Sequence, residues 1–168
     1  MLFRSRIDSR LRGNDKKRKK RILVGGGVGV PPLVFLAEHF PAEAVLIGTK
    51  SRGEVLPKSE LAKIKGKIFY STDDGSYGSK GYVTVLLNEI IRKEKPENLF
   101  IQTCGPKPMM QAVLDMARKH GIEGEASIDN TMACGVGACL GCMVKTPHGW
   151  VPSCTEGPVF DFREIESL

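Results

Sequence analysis

From Arg21 onward, apolar residues fall into short runs of two kinds, separated by turn residues. Four runs are rich in β-branched or aromatic residues, RILVGG at 21–26, AVLIG at 44–48, KIFYST at 67–72 and NLFIQTC at 98–104, and the stretch 124–128 makes a fifth strand. Runs of this length bounded by glycine, proline or polar clusters predict buried strands. Between them lie helical patterns. Pro31 and Pro32 suit a helix start that continues through 33–40, and 56–64 makes a short helix. YVTVLLNEIIRK at 82–93 is amphipathic, and Gly105–Pro106 opens a last helix that His120–Gly121 closes. Strands alternating with helices imply right-handed βαβ units and a doubly wound, five-stranded parallel sheet, an α/β fold.

Ligands of such sheets bind beyond the carboxyl ends of the strands. The conspicuous loops 26–30, 49–53, 72–81 and 104–107 all fall there. GGGVGVPP at 25–32 places Gly25, Gly26, Gly27 and Gly29 between a strand and a helix start. That arrangement aims free N–H groups and the positive helix end at an anion such as a pyrophosphate. The spacing departs from G-x-G-x-x-G because Pro32 stands at the third glycine position. Asp73 and Asp74 follow the third strand, where carboxylates accept hydrogen bonds from a ribose and repel a 2′-phosphate; Lys50 and Arg52, after the second, pull the other way. Cys104, at the end of a buried strand and followed by Gly105 and Pro106, reads as a small core thiol or as a contact for a nicotinamide.

Past residue 128 the pattern changes. MVKTPHGWVPSC at 143–154 reads as a hairpin turning at Pro147–Gly149, and 159–162 alternates as a final strand. The expected organisation is therefore a basic tail over 1–20, a nucleotide-binding domain over 21–128 and a small β-rich domain over 129–168. Four of the five cysteines lie in that last part, at Cys134, Cys139, Cys142 and Cys154. C-x4-C-x2-C with a distant fourth cysteine is the plant-type spacing of a [2Fe–2S] cluster. Gly135, Gly137 and Gly141 sit between the ligands, where positive φ or close approach to the inorganic core is needed. A structural zinc site and a disulfide framework are the competing readings. Disulfides would need a secreted chain, and no secretory apolar region is visible.

Charge changes the picture only at the amino end. The net charge is +6, yet residues 1–21 hold ten Lys/Arg and two acids, leaving the remaining 147 residues at −2. The basicity belongs to the tail and says nothing about the ligand of the domain. The tail shows no helical or strand period. It is expected to be disordered and resembles translated intergenic sequence joined to a truncated reading frame. No apolar run reaches the ~18 residues of a membrane span. A cysteine-ligated cluster with one further thiol suits a reducing cytoplasm.

Together, GGGVGVPPL at 25–33, STDDGSYGSKGYVT at 71–84, CGPKPMM at 104–110, and MACGVGACLGC with SCTEGPVF over 132–160 resemble the electron-transfer subunit of dihydroorotate dehydrogenase. That family is ferredoxin–NADP reductase-like. The likeness runs from about Lys19 to the C-terminus. It implies a ferredoxin reductase-type NAD domain followed by a [2Fe–2S] domain, with NAD, FAD and the cluster as cofactors. It implies cluster ligation by Cys134, Cys139, Cys142 and Cys154, and the NAD pyrophosphate at Gly27 and Gly29. Asp73 and Asp74 would lie near the adenosine ribose and Cys104 near the nicotinamide. The implied partner is an FMN-containing dihydroorotate dehydrogenase catalytic subunit, in a heterotetramer, with no role for membrane or nucleic acid. Family members begin with a β-barrel that supplies most of the FAD site, and a basic stretch of about twenty residues stands in its place here. The expectation is a truncated fragment, inactive alone. The alternative function is a non-catalytic zinc-binding α/β module whose basic tail binds nucleic acid.

Overall fold

The computed structural model describes residues 19–168; the expectation for the basic tail lies outside them, apart from Lys19 and Lys20. Strand β1 (Lys20–Gly26) is hydrogen-bonded in parallel to β2 (Ala44–Thr49) on one side and to β5 (Leu99–Cys104) on the other. Outside β2 lies β3 (Lys67–Thr72), and outside β5 lies β6 (Glu123–Ser127). These are the five expected parallel strands. Two more extend the sheet to seven: β4 (Ser79–Lys80), parallel beside β3, and β9 (Val159–Asp161), antiparallel beside β6. A two-residue strand is too short to show a period. The run ending at Phe162 was legible as a strand but not its place in the main sheet. The hairpin of β7 (Met143–Thr146) and β8 (Gly149–Pro152) forms where expected.

Alternation along the central strands builds two cores. From β1, Ile22 and Val24 face one side and Leu23 the other, all fully buried. The first side is covered by α3 (Val83–Lys93) and α4 (Lys107–His120), through Leu87, Val113 and Leu114. The other is covered by α1 (Val30–His39), through Leu33, Leu36 and Ala37, with Leu61 of the one-turn helix α2 (Lys58–Leu61) beside it. Truncating a buried leucine here to alanine would cost about 2–5 kcal/mol. Val144, Phe160, Phe162 and Ile165 join the first core, so the chain beyond 128 packs into the same hydrophobic interior. Arg118 of α4 fastens this region, donating to the carbonyls of Phe162, Ile165 and Glu166.

Helix boundaries follow local chemistry. Pro31 and Pro32 occupy the first turn of α1, where a missing N–H is harmless. Gly121 ends α4 at φ 67°, the left-handed conformation that glycine adopts without penalty. Because β1 has its neighbours β2 and β5 on opposite sides, the sheet reverses its winding between β1 and β5, and a crevice opens at the carboxyl ends of those strands.

Candidate functional site

The chain leaves β6 at Ser127 and runs without regular structure to Cys142. Within that loop Gly135 (φ 70°), Gly137 (φ 77°) and Leu140 (φ 56°) are left-handed. Two of these are glycines expected to take positive φ. The third is Leu140 rather than Gly141, a position where an L residue is strained. Left-handed residues interspersed along a loop turn successive N–H groups toward one concavity, a nest for negative charge. The backbone N–H of Cys139 donates to Cys134 Sγ at 3.4 Å.

Cys154 arrives from the other side. The β7–β8 hairpin returns the chain, and a single helical turn, α5 (Ser153–Glu156), carries the cysteine. The Ser153 N–H donates to the Cys142 carbonyl at 2.9 Å, tying this turn to the third cysteine. Asn130 Nδ2 donates to the carbonyls of Cys142 and Met143 from below the loop. The loop thus sets Cys139 against Cys134, and the turn of Cys154 against Cys142.

The electrostatics favour thiolates. Backbone N–H groups of Cys139, first, and of Val136 hold the Cys134 thiol down to about 6. Cys142 is also lowered, chiefly by the backbone N–H of Cys154, whereas Cys154 is raised because its proton is shared with Cys142. Among the described residues no three His, Cys, Asp or Glu side chains converge on one ion position. Two pairs joined by one nest of N–H groups are what two irons, each with two thiolates, require. The donor set therefore fits a [2Fe–2S] group.

A second feature is a cleft of about 410 Å³ at the carboxyl edge of the sheet. Gly26 and Gly27 line it at the end of β1, Gly48 to Lys50 at the end of β2 and Asp73 just past β3, and the amino ends of α3 and α4 close it through Tyr82–Thr84 and through Pro106, Pro108 and Met109. Two helices of more than ten residues therefore point their positive ends into a glycine-floored groove, which suits a phosphate-bearing ligand.

The individual residues divide. Gly26, Gly27, Asp73 and Pro106 line the cleft; Gly25, Gly29, Asp74, Cys104 and Gly105 do not. Gly29 instead packs on the strand: a Cβ there would lie 2.3 Å from the Cys104 carbonyl. A Cβ on Gly105 would meet the Gly26 oxygen at 2.8 Å, so both glycines permit close backbone approach behind the groove. Asp74 turns back, accepting from the Ser76 N–H at 2.9 Å and hydroxyl at 2.6 Å, which lowers its pKa. Cys104 is buried and its thiol is pushed up by that burial, the behaviour of a core residue. Of the two cations, Lys50 lines the groove, while Arg52 lies over the Tyr77 ring at 5.9 Å. Sequence reasoning missed Glu54, Tyr82 and Met109. Tyr82 is 72% exposed, so no core periodicity marks it.

Comparison with known proteins places these features. Residues 129–166 match the model of the iron-sulfur cluster binding domain of dihydroorotate dehydrogenase B. The chain is 37% identical over 160 residues to the dihydroorotate dehydrogenase B (NAD(+)) electron transfer subunit of Fusobacterium nucleatum, covering 89% of this chain and 59% of that protein. It is 37% identical over 146 residues to the same subunit of Streptococcus pneumoniae, covering 83% of this chain and 56% of the relative. The chain thus spans rather more than half the length of these relatives. A solved structure of the NADH-dependent reduced ferredoxin-NADP oxidoreductase, described for flavin-based electron bifurcation, superposes with a TM-score of 0.75 at 26% identity. That match covers 90% of this chain and 55% of the other. The ferredoxin reductase of carbazole 1,9a-dioxygenase, at 18% identity and a TM-score of 0.50, shares the fold. The resemblance, the ferredoxin reductase-like α/β fold and the cofactor class expected from the sequence agree with these matches. No helix among the described residues is long and apolar enough to cross a membrane.

Proposed function

We propose, from this kinship with electron transfer subunits of dihydroorotate dehydrogenase B, that the chain is the nucleotide- and cluster-binding part of such a subunit. On this reading it carries electrons between NAD and an FMN-containing dihydroorotate dehydrogenase catalytic subunit. The observation that carries the proposal is the cysteine loop itself: the Cys139 N–H donates to Cys134 Sγ at 3.4 Å, and the Ser153 N–H ties the turn that carries Cys154 to the Cys142 carbonyl at 2.9 Å. A [2Fe–2S] cluster bound there takes up and releases one electron at a time.

The chain's own part is to hold and orient. The four thiolates grip the two irons, and the nest around Gly135–Leu140 offsets their negative charge. Gly26, Gly27 and the amino ends of α3 and α4 receive the pyrophosphate of the dinucleotide. Lys50 is one cation beside two carboxylates, Glu54 and Asp73, in the cleft lining. That balance suits the free 2′-hydroxyl of NAD better than a 2′-phosphate. Val136 and Leu140, 71% and 61% exposed beside the ligands, make an apolar surface on which the partner subunit docks.

Anaerobic reconstitution of the purified chain tests the proposal. About two irons and two sulfides per chain, with a visible spectrum, are expected. A colourless protein holding one zinc per chain would replace the proposal with the zinc-module reading. With added FAD, NADH-dependent reduction of an artificial acceptor is expected to be slight.

A further inference from the structure

Ser153 immediately precedes the fourth cysteine and opens the turn that carries it. Its side chain is fully buried, and its Oγ makes no hydrogen bond of ordinary geometry. A dry, unpaired hydroxyl is unfavourable enough that native proteins rarely leave one without a purpose. Its position is fixed, because the Ser153 N–H is held by the Cys142 carbonyl at 2.9 Å. The neighbouring thiol of Cys142 is itself only 2% exposed, so solvent does not serve either group. A thiol is a poor acceptor for that hydroxyl. A metal-bound thiolate is a good one.

We propose that Ser153 Oγ–H donates to Cys142 Sγ once the cluster is in place, and that this hydrogen bond makes the cluster easier to reduce. Ser153 is thus a positioning and tuning residue, not a ligand. The inference rests on the cluster reading above. Reduction adds one electron to the cluster and so adds negative charge to its sulfurs. A donor aimed at a ligand sulfur stabilises the reduced form more than the oxidised one. Low exposure strengthens the effect, since water does not compete for the same sulfur.

The test uses the full chain loaded with iron and sulfide. Wild type, Ser153→Ala and Ser153→Thr are titrated potentiometrically, with reduction followed by electron paramagnetic resonance. Ser153→Ala is expected to be harder to reduce, its reduced-to-oxidised ratio at fixed poise falling roughly three- to tenfold, as loss of one such hydrogen bond implies. Ser153→Thr, which keeps the hydroxyl, is expected to recover most of the difference. After exchange into deuterated water, the reduced wild type is expected to show a strongly coupled deuteron that Ser153→Ala lacks. Equal potentials, or no such deuteron in the wild type, would overturn the inference while leaving the cluster intact. The deuteron measurement decides even if Ser153→Ala fails to load. Failure of the wild type to take up iron and sulfide overturns the cluster reading and this inference with it.

Discussion

Gly29 presses so closely on Cys104 that a side-chain carbon at Gly29 would sit 2.3 Å from the Cys104 carbonyl. The contact joins the start of α1 to the end of β5 and sets the floor of the crevice between the two halves of the sheet. Backbone cannot yield as a flexible side chain can. Gly29→Ala is therefore expected to destabilise the chain by about 2–3 kcal/mol through overpacking. Urea denaturation followed by circular dichroism checks this. A change under about 0.5 kcal/mol, the range of an indifferent surface substitution, would mean that the helix end adjusts freely.

That contact also shows where sequence reading stops. The five parallel strands and their helices were legible because each is a buried run with a period and a punctuated end. GGGVGVPP was legible as a strand-to-helix turn, and Gly29 as an exceptional position within it. What it is for was not legible: the sequence suggests contact with a phosphate, whereas its Cβ space is filled by another strand's backbone. Only the register of β1 against β5 brings Gly29 to Cys104, and no local pattern encodes that register.

Asp73 and Asp74 are neighbours in the chain with different surroundings. Asp73 lines the cleft and Asp74 accepts two hydrogen bonds from Ser76. Asp73→Asn is expected to narrow the preference for NAD over NADP roughly three- to tenfold by removing one negative charge from the ribose end. Asp74→Asn is expected to leave that preference alone and to loosen the loop after β3. Isothermal titration of both variants with the two nucleotides separates the roles. The Asp74 pKa is depressed in the folded chain, so its contribution is present above the unfolded value and fades as pH falls through the folded one. Acid sensitivity of this loop, read by hydrogen exchange, should therefore diminish in Asp74→Asn.

The cysteine site was more legible than the cleft, because ligand spacing in one short loop is a local property. Even so, positive φ falls at Leu140 (φ 56°) rather than at the expected Gly141, and the buried Ser153 hydroxyl has no sequence signature at all. Tyr82 and Glu54 were missed for the same reason. Exposed residues that face a groove share no period with the core, so only the folded chain brings them together.

Arg118 holds the end of the chain against α4. Its guanidinium donates to Phe162 O at 3.2 Å and Glu166 O at 3.3 Å, and to Ile165 O between them. Ile165 is fully buried in the main core, so the clamp fixes a packed residue rather than a loose tail. Arg118→Met keeps the aliphatic stem and removes the donors. A loss of about 1–2 kcal/mol is expected, after allowance for partial exposure. Limited proteolysis should then release the C-terminal residues before the sheet unfolds. Unchanged protection would show that the core contacts of Phe162 and Ile165 suffice.

Cys134 and Cys104 provide the test of electrostatics that needs no metal. In the metal-free chain the N–H groups of Cys139 and Val136 hold Cys134 at about 6, while burial pushes Cys104 above the ordinary thiol value. The thiolate is the reactive form. Alkylation of Cys134 by iodoacetamide should therefore rise through a midpoint near pH 6 and be nearly complete in rate by neutrality, with Cys104 inert throughout. The sign for stability follows from the same depression. The favourable contribution of the folded loop is present above the unfolded thiol value and is lost as pH falls through about 6. Peptide mass spectrometry at a series of pH values reads each site separately. Loading with iron and sulfide should abolish the Cys134 reaction, because a metal-bound sulfur is no longer free to attack. A Cys134 midpoint near that of an ordinary thiol would mean that the loop's N–H groups do not face the sulfur, and the nest for the cluster would be lost with them.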